Sequence, residues 1–283
     1  MTTDLPIAYA GEPGAFAEDA VLMAFGDVDR RSAGSFRDVF RLVASGDAAA
    51  GVIPIENVIN GTVRENYDLL LEHDLEIVGE VVVPVRLCLA ALPGQRVEEI
   101  ERVYSHIQAL GQAETFLRTR AWQLLSTYNT AGAGKSIAER GERGAAAVLS
   151  PRAAGLFGLE VLAEEIGDLP GNRTRFAVLA LPGARLPHSD GSAATTDRRT
   201  TLVLAVRNEP GTLLAVLRVF AEHGLNMSKL ESRPSRERAW EYVFWVDLDA
   251  DTADAATRAA LDALLAVTTM VRVLGCYGRA TGA

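Results

Sequence analysis

The chain has 283 residues, 48% of them hydrophobic and 23% charged, and its 37 acidic against 28 basic residues give a formal net charge of -9. That length predicts two domains, and the acidic balance argues against nucleic acid, whose phosphates need a basic face. Two distant cysteines, Cys88 and Cys276, and four histidines with no pair at ligand spacing argue against a metal centre and suit a reducing cytoplasm.

The N-terminus lacks a basic region followed by a long apolar one, and no 18-residue uncharged apolar run occurs, so a soluble, unprocessed protein is expected. In the first half, short apolar runs at 6–10, 48–55, 75–85, 122–127 and 145–150 predict buried strands. Amphipathic stretches at 15–25, 35–46, 63–73 and 109–120 predict helices packed on sheet faces. The alternation reads as an α/β domain over residues 1–186. Pro, Gly, Ser, Thr and charge then replace the periodic pattern, marking a linker at 187–199. Residues 200–283 read as strand, helix, strand, strand, helix, strand, with Pro210 and Gly211 opening the first helix and Gly224 closing it. A sheet with helices on one face leaves the other open. The apolar run "YVFWV" therefore calls for a partner subunit or domain, and self-association is the expected consequence.

Five stretches of the first half could carry chemistry. "YAGEPGAFAEDA" sets a Pro-Gly turn between strand and helix, either a plain turn or a helix start facing an anion. "VIPIENVINGTV" ends a buried strand in Glu56 and Asn57, where open α/β sheets bind ligands, although a solvated Glu before an Asn-Gly turn has the same pattern. "VYSHIQALGQAETFL" carries Ser105, His106, Gln108 and Gln112 where a strand gives way to a helix. Adjacent strand residues face opposite ways, so a Ser-His dyad is disfavoured and Ser105 reads equally well as a helix N-cap. "STYNTAGAGKSIAE" lacks the first glycine of a phosphate loop, Asn129 standing in its place. "GNRTRFAVLA" puts Arg173, Thr174 and Arg175 before an apolar run, either as solubilising charge or as a fork for a carboxylate.

In their order along the chain, "GEPGAF", "IPIEN" with "GTV", "YSHIQAL", "NTAGA", "NRTRF", "PGTL" and "LESRP" closely resemble the bacterial prephenate dehydratases, from Ile7 to about Gly278. The resemblance implies a two-lobed catalytic domain like type II periplasmic binding proteins, then a ferredoxin-like βαββαβ ACT regulatory domain. It implies conversion of prephenate to phenylpyruvate with loss of carbon dioxide and water, without a cofactor, in a homodimer or homotetramer that answers to L-phenylalanine. It further implies catalytic roles for Thr174, Arg175 as carboxylate clamp and Phe176 beside the ring, with Glu56, Asn57, Ser105, His106, Gln108 and Asn172 binding substrate. The effector site maps onto Gly211, Thr212, Leu213, Asn226, Glu231, Ser232, Arg233 and Pro234. Departures from the family pattern are Val58, Ile107 and Ala113, where a hydroxyl residue, a proline and a cysteine are usual. Arogenate, with an ammonium group on its side chain, is an alternative substrate, and a non-catalytic amino-acid sensor is the reading from another class.

Overall fold

The computed structural model describes residues 5–184, 186, 197–234 and 242–280, so most of the expected linker lies outside the described residues. The chain starts a first lobe with β1 (Ile7–Ala10), α1 (Phe16–Phe25), β2 (Arg30–Ala33), α2 (Phe36–Ala44), β3 (Ala50–Asn57), β4 (Gly61–Thr62), α3 (Arg64–Glu72) and β5 (Glu76–Pro84). It crosses to a second lobe made of β6 (Cys88–Ala91), β7 (Arg102–His106), α4 (Ile107–Gln112), α5 (Glu114–Leu117), β8 (Gln123–Thr127), α6 (Thr130–Arg140), β9 (Ala145–Leu149), α7 (Pro151–Leu156) and β10 (Glu160–Ala163). It then returns to the first lobe as β11 (Arg173–Ala180). The C-terminal unit is β12 (Arg198–Ala205), α8 (Thr212–Glu222), β13 (Met227–Pro234), β14 (Tyr242–Leu248), α9 (Ala255–Val267) and β15 (Met270–Gly278).

The first sheet runs β2-β1-β3-β11-β5, with β11 inserted antiparallel between β3 and β5. The second runs β10-β6-β9-β7-β8, and the third β13-β14-β12-β15. The fold is a two-lobed α/β unit followed by a four-stranded antiparallel sheet with two helices. Where the chain passes between lobes, the Val85 amide donates to the Asn172 carbonyl (2.8 Å), so the two crossings run side by side. The helix expected over 109–120 is instead broken into α4 and α5 at Ala113, whose φ of -118° and ψ of 21° lie outside the helical region. Strands β2, β6 and β10 lie outside the predicted apolar runs, and β2 (RRSA) is an edge strand with mostly polar, solvent-facing side chains.

Pro54 lies in the middle of β3, where a missing N–H would ordinarily leave a gap in the ladder. The gap is absorbed by a bulge: Arg175 pairs with Glu56 but Phe176 pairs with Pro54, so Ile55 is the extra residue. The Pro54 carbonyl is occupied by the buried Asn66 side chain (2.6 Å).

The open face of the third sheet is covered, although not by a second copy of the chain. Val203, Trp245, Leu274 and Tyr277 enter one apolar cluster with Tyr67, Leu70 and Ile77 of the first lobe. Trp245 meets Tyr67 edge-on at 4.5 Å. The other side of the same strands, including Leu202, Leu204 and Val246, packs under α8 and α9 with Val216, Phe220 and Leu264. Of the two coverings expected for this apolar face, a partner subunit or another domain, the structure has the second, since the chain's own first lobe fills it, and this face is not a reason for self-association.

β15 packs so closely on β5 that a Cβ at Gly275 would lie 2.0 Å from the Ile77 carbonyl oxygen and 2.9 Å from its carbon. Backbone cannot rotate aside as a side chain can. Gly275→Ala is therefore expected to destabilise the chain by about 1–3 kcal/mol, read as a Tm lowered by at least about 2 °C in thermal denaturation. An unchanged Tm would show that β15 can move off β5 without loss.

Candidate active site

Between the two lobes lies a cleft of about 710 Å³. Its electrostatics come first from backbone: α1, α2, α3 and α6 all begin on its walls, at Phe16, Phe36, Arg64 and Thr130. Each helix start carries unpaired amides and the positive end of the helix dipole. Ser35 and Asn129 cap α2 and α6, accepting from the Asp38 and Gly132 amides. The caps of α1 and α3 are Ala15 and Val63, which have no side-chain acceptor to offer; the Glu18 and Asn66 amides turn back to the cap carbonyls, and the first two amides of each helix are left for a bound anion. The cleft also contains one guanidinium, that of Arg64, which is exposed at its rim and makes no ion pair among the described residues.

Thr174 and Phe176 reach the cleft from β11, and Asn57 reaches it from β3 directly opposite Thr174. The Asn57 amide nitrogen donates to Thr174 Oγ1 (3.0 Å), to the Asn172 side-chain oxygen (2.8 Å) and to the Arg173 carbonyl (3.0 Å). Its oxygen accepts the Ile59 and Asn60 amides, which locks the orientation. Asn172 in turn donates to Gln112 Oε1 (3.0 Å), so a continuous amide relay runs from the second lobe to the Thr174 hydroxyl. With its oxygen accepting from Asn57, that hydroxyl keeps its own proton to donate into the cleft.

His106 stands on the facing wall as the cap of α4. Its Nδ1 accepts the Gln108 amide (3.3 Å), which puts the ring proton on Nε2. Burial lowers the His106 pKa below its ordinary value, favouring the neutral ring. Gln108 and Gln112 line the same wall.

Three expected site residues lie elsewhere. Ser105 is fully buried, and its hydroxyl donates to the Val148 carbonyl (2.6 Å) on the far side of β7, so it neither faces the cleft nor caps α4. Glu56 and Arg175 also point away, because side chains alternate along a strand and their neighbours Asn57 and Thr174 take the cleft side. Arg175 is instead paired with Asp247 (2.8 Å), Glu56 (2.9 Å) and Glu80 (3.3 Å) at the junction with the C-terminal unit. Burial works against its charge, but the Asp247 carboxylate, with Tyr277, Tyr67 and Glu80 behind it, outweighs that and raises the pKa well above the guanidinium norm. It holds a protein carboxylate cluster and cannot clamp a substrate in the cleft.

The expected effector residues divide as well. Gly211, Thr212 and Leu213 line a cavity of about 220 Å³ at the start of α8, with Tyr242 and Phe244. Asn226 instead donates to Asp249 (2.6 Å). Glu231 accepts from Thr62, and Arg233 pairs with Asp68 (3.0 Å), so both face the first lobe while Ser232 and Pro234 are exposed on the other side of β13. Within one chain the two effector motifs do not meet in one pocket.

Sequence reasoning missed Arg64, Tyr128 and Asn129. Arg64 was absorbed into the polar face of an amphipathic helix, and no local pattern shows that this helix starts at a cleft. Tyr128 belongs to a cross-lobe contact: Glu12 accepts from the Tyr128 hydroxyl (3.0 Å) and pairs with Lys135 (2.8 Å). Hydrogen bonding from Lys135 lowers the Glu12 pKa, keeping it charged. Arg152 of α7 similarly reaches Glu18 (2.5 Å) and Asp19 of α1.

Comparison with known proteins agrees with this architecture. The family model for prephenate dehydratase matches residues 7–183, and that for the ACT domain matches 200–266. Arogenate dehydratase/prephenate dehydratase 1 of Arabidopsis thaliana, a chloroplastic protein, is 37% identical over 96% of this chain and 71% of its own length. The prephenate dehydratase of Arthrobacter aurescens solved in complex with L-Phe is 30% identical, with a TM-score of 0.85 over 98% of this chain and 90% of its own. The quorum-quenching acylase GqqA is also 30% identical, with a TM-score of 0.86 over 97% and 98% of the two chains. With motifs, fold and relatives in agreement over nearly its whole length, the chain belongs to the prephenate dehydratase family.

Proposed function

We infer that this chain is a prephenate dehydratase, converting prephenate to phenylpyruvate, carbon dioxide and water. The observation that carries the reading is the Thr174 hydroxyl, its oxygen tied to Asn57 and its proton free, inside a cleft rimmed by uncapped helix starts. A dianion is held by the amides at the starts of α1 and α3 and by Arg64, the residue that takes over the role expected of Arg175. The ring hydroxyl leaves with the electron pair of its C–O bond. Thr174 donates a hydrogen bond to the departing hydroxide, which becomes water on gaining one proton. The bond to the ring carboxylate breaks, carbon dioxide departs, and the electrons of that bond complete the aromatic ring.

Phe176 flanks the ring, while His106 Nε2–H and Gln108 offer donors from the second lobe. Arogenate is the second reading, favoured by Glu65 beside Arg64 on the cleft wall, where a carboxylate can meet its ammonium group. Residues 1–186 form the catalytic part and 200–283 the ACT regulatory part. L-phenylalanine is the effector, supported by the L-Phe complex of the Arthrobacter relative. Its site is completed between two copies of the chain, because one copy separates the α8 cavity from the β13 motif. Exposed Leu214, Leu230 and Tyr242 suit such a homodimer or a tetramer built from it. No helix among the described residues is long and apolar enough to cross a membrane. Two free thiols support a reducing cytoplasm.

Turnover of prephenate and of arogenate, assayed side by side with and without phenylalanine, tests the reading, and inactivity on both substrates would overturn it. Thr174→Ala is expected to lower kcat by about 10²-fold or more with KM little changed. Full activity in that variant would remove Thr174 from the chemistry. Arg64→Gln is expected to act mainly on KM, raising it about tenfold, the loss of one charged hydrogen bond.

His106 gives a pH signature. Since its folded pKa is lowered, the unfolded chain binds the proton first as pH falls through about 6.5, and stability is lost in that window. His106→Gln should flatten the acid fall of Tm just below that pH.

A further inference from the structure

The residues on either side of the first sheet at the active site are consecutive in sequence. Thr174 faces Asn57 on the cleft side, and Arg175 faces Glu56 on the side of the ACT domain. Both members of the second pair are gripped by that domain. Asp247 of β14 binds Arg175 (2.8 Å), and Lys229 of β13 binds Glu56 (3.2 Å). Asp247 is itself fixed, accepting from the Thr201 hydroxyl (2.7 Å), which also bonds the Tyr277 hydroxyl (2.7 Å). From the catalytic side, Glu80 of β5 holds Arg175 (3.3 Å) and Arg199 (2.6 Å). Asp247 is 3% exposed and Glu80 8%, so water screens their contacts with Arg175 little, while Glu56 at the edge of the group is partly exposed. On the β3 side the ladder is interrupted next to this pair, at the Pro54–Ile55 bulge, while β5 pairs the other edge of β11 in unbroken register from Arg173 to Val178.

We propose that Arg175 is a positioning residue for Thr174, and that the ACT domain, by holding the Arg175–Glu56 pair through Asp247 and Lys229, sets the position of the Thr174 hydroxyl. This rests on the dehydratase reading above and gives it a route for effector control. A shift of the ACT sheet pulls on Arg175, whose Cα is one peptide from that of Thr174. Small misplacement of a reacting group is enough to slow the chemistry. Phenylalanine then acts on kcat from the ACT domain without entering the cleft.

The test uses the full chain with Asp247→Asn, which keeps shape and removes the charge from the ACT side. The expected result is a kcat lowered about tenfold, KM within about twofold, phenylalanine binding by calorimetry retained, and the remaining activity no longer inhibited by it. Arg175→Gln should show a larger fall in kcat, and Arg175→Lys should recover part of it. Hydrogen exchange gives a readout independent of turnover: the amides of β11 around Thr174 should exchange faster in Asp247→Asn, with the rest of the first lobe unchanged. Wild-type exchange in β11, or a variant with wild-type kcat and full inhibition, overturns the proposal. A rise in KM alone also overturns it, because Arg175 would then act on substrate binding. If Asp247→Asn does not fold, Lys229→Met removes the second grip and is read by the same criteria. Inactivity of the wild-type chain on both substrates would defeat the functional reading, whereas the exchange result would still judge the coupling.

Discussion

The burial of Arg175 among Glu56, Glu80 and Asp247 is the constraint around which the two halves of the molecule are arranged. Taking Arg175, Glu80 and Asp247 from water costs several kcal/mol for each ion, Glu56 staying partly exposed, and the attraction offsets that only when the partners are held in place. Here they come from three places in the chain: β3, β5 and the ACT strand β14. The close approaches near them, Tyr67 on Trp245 and Gly275 on the Ile77 backbone, hold the partners together, while Glu56, Arg175, Arg199, Lys229 and Asp247 line a cavity of about 320 Å³ at the junction. The junction is thus charged at its centre and apolar at its edge. It fixes the ACT sheet on the back of the strand that carries Thr174.

Much of the fold was legible in the sequence because it rests on local rules. The βαββαβ order of the C-terminal half follows from periodicity and from the Pro-Gly and Gly punctuation of α8. The long strands β3, β5 and β11 contain apolar runs that only burial on both faces explains. What failed was orientation. Alternation along β11 implies that Thr174 and Arg175 face opposite ways, yet the resemblance put both at the substrate. The sequence contains the period but not which face meets which partner, because that depends on Asp247, 72 residues away. Ser105 and His106 pose the same problem, with the histidine facing the cleft and the serine buried against β9. Arg64 and the convergence of helix starts are products of tertiary arrangement, with no local signature.

The cleft shows how an acidic protein accommodates an acidic substrate. With a formal net charge of -9 and one unpaired guanidinium at the rim among the described residues, the cleft offers an anion oriented backbone at the starts of α1 and α3 beside Arg64. Backbone amides cannot be neutralised by a competing carboxylate swinging in from the surface, and they are already oriented before a ligand arrives. The Asn57, Asn172 and Gln112 relay extends the same logic, since neutral amides fix a hydroxyl without adding charge that would compete for the substrate.

Glu12 with Lys135 and Tyr128, and Arg152 with Glu18 and Asp19, tie the two lobes together. Any motion that parts the lobes must break both ties, and they differ in exposure: Lys135 and Glu12 are partly open to solvent, whereas Arg152 reaches a buried Glu18. Dissolved salt therefore weakens the first tie more than the second, so the lobes loosen first on the Lys135 side.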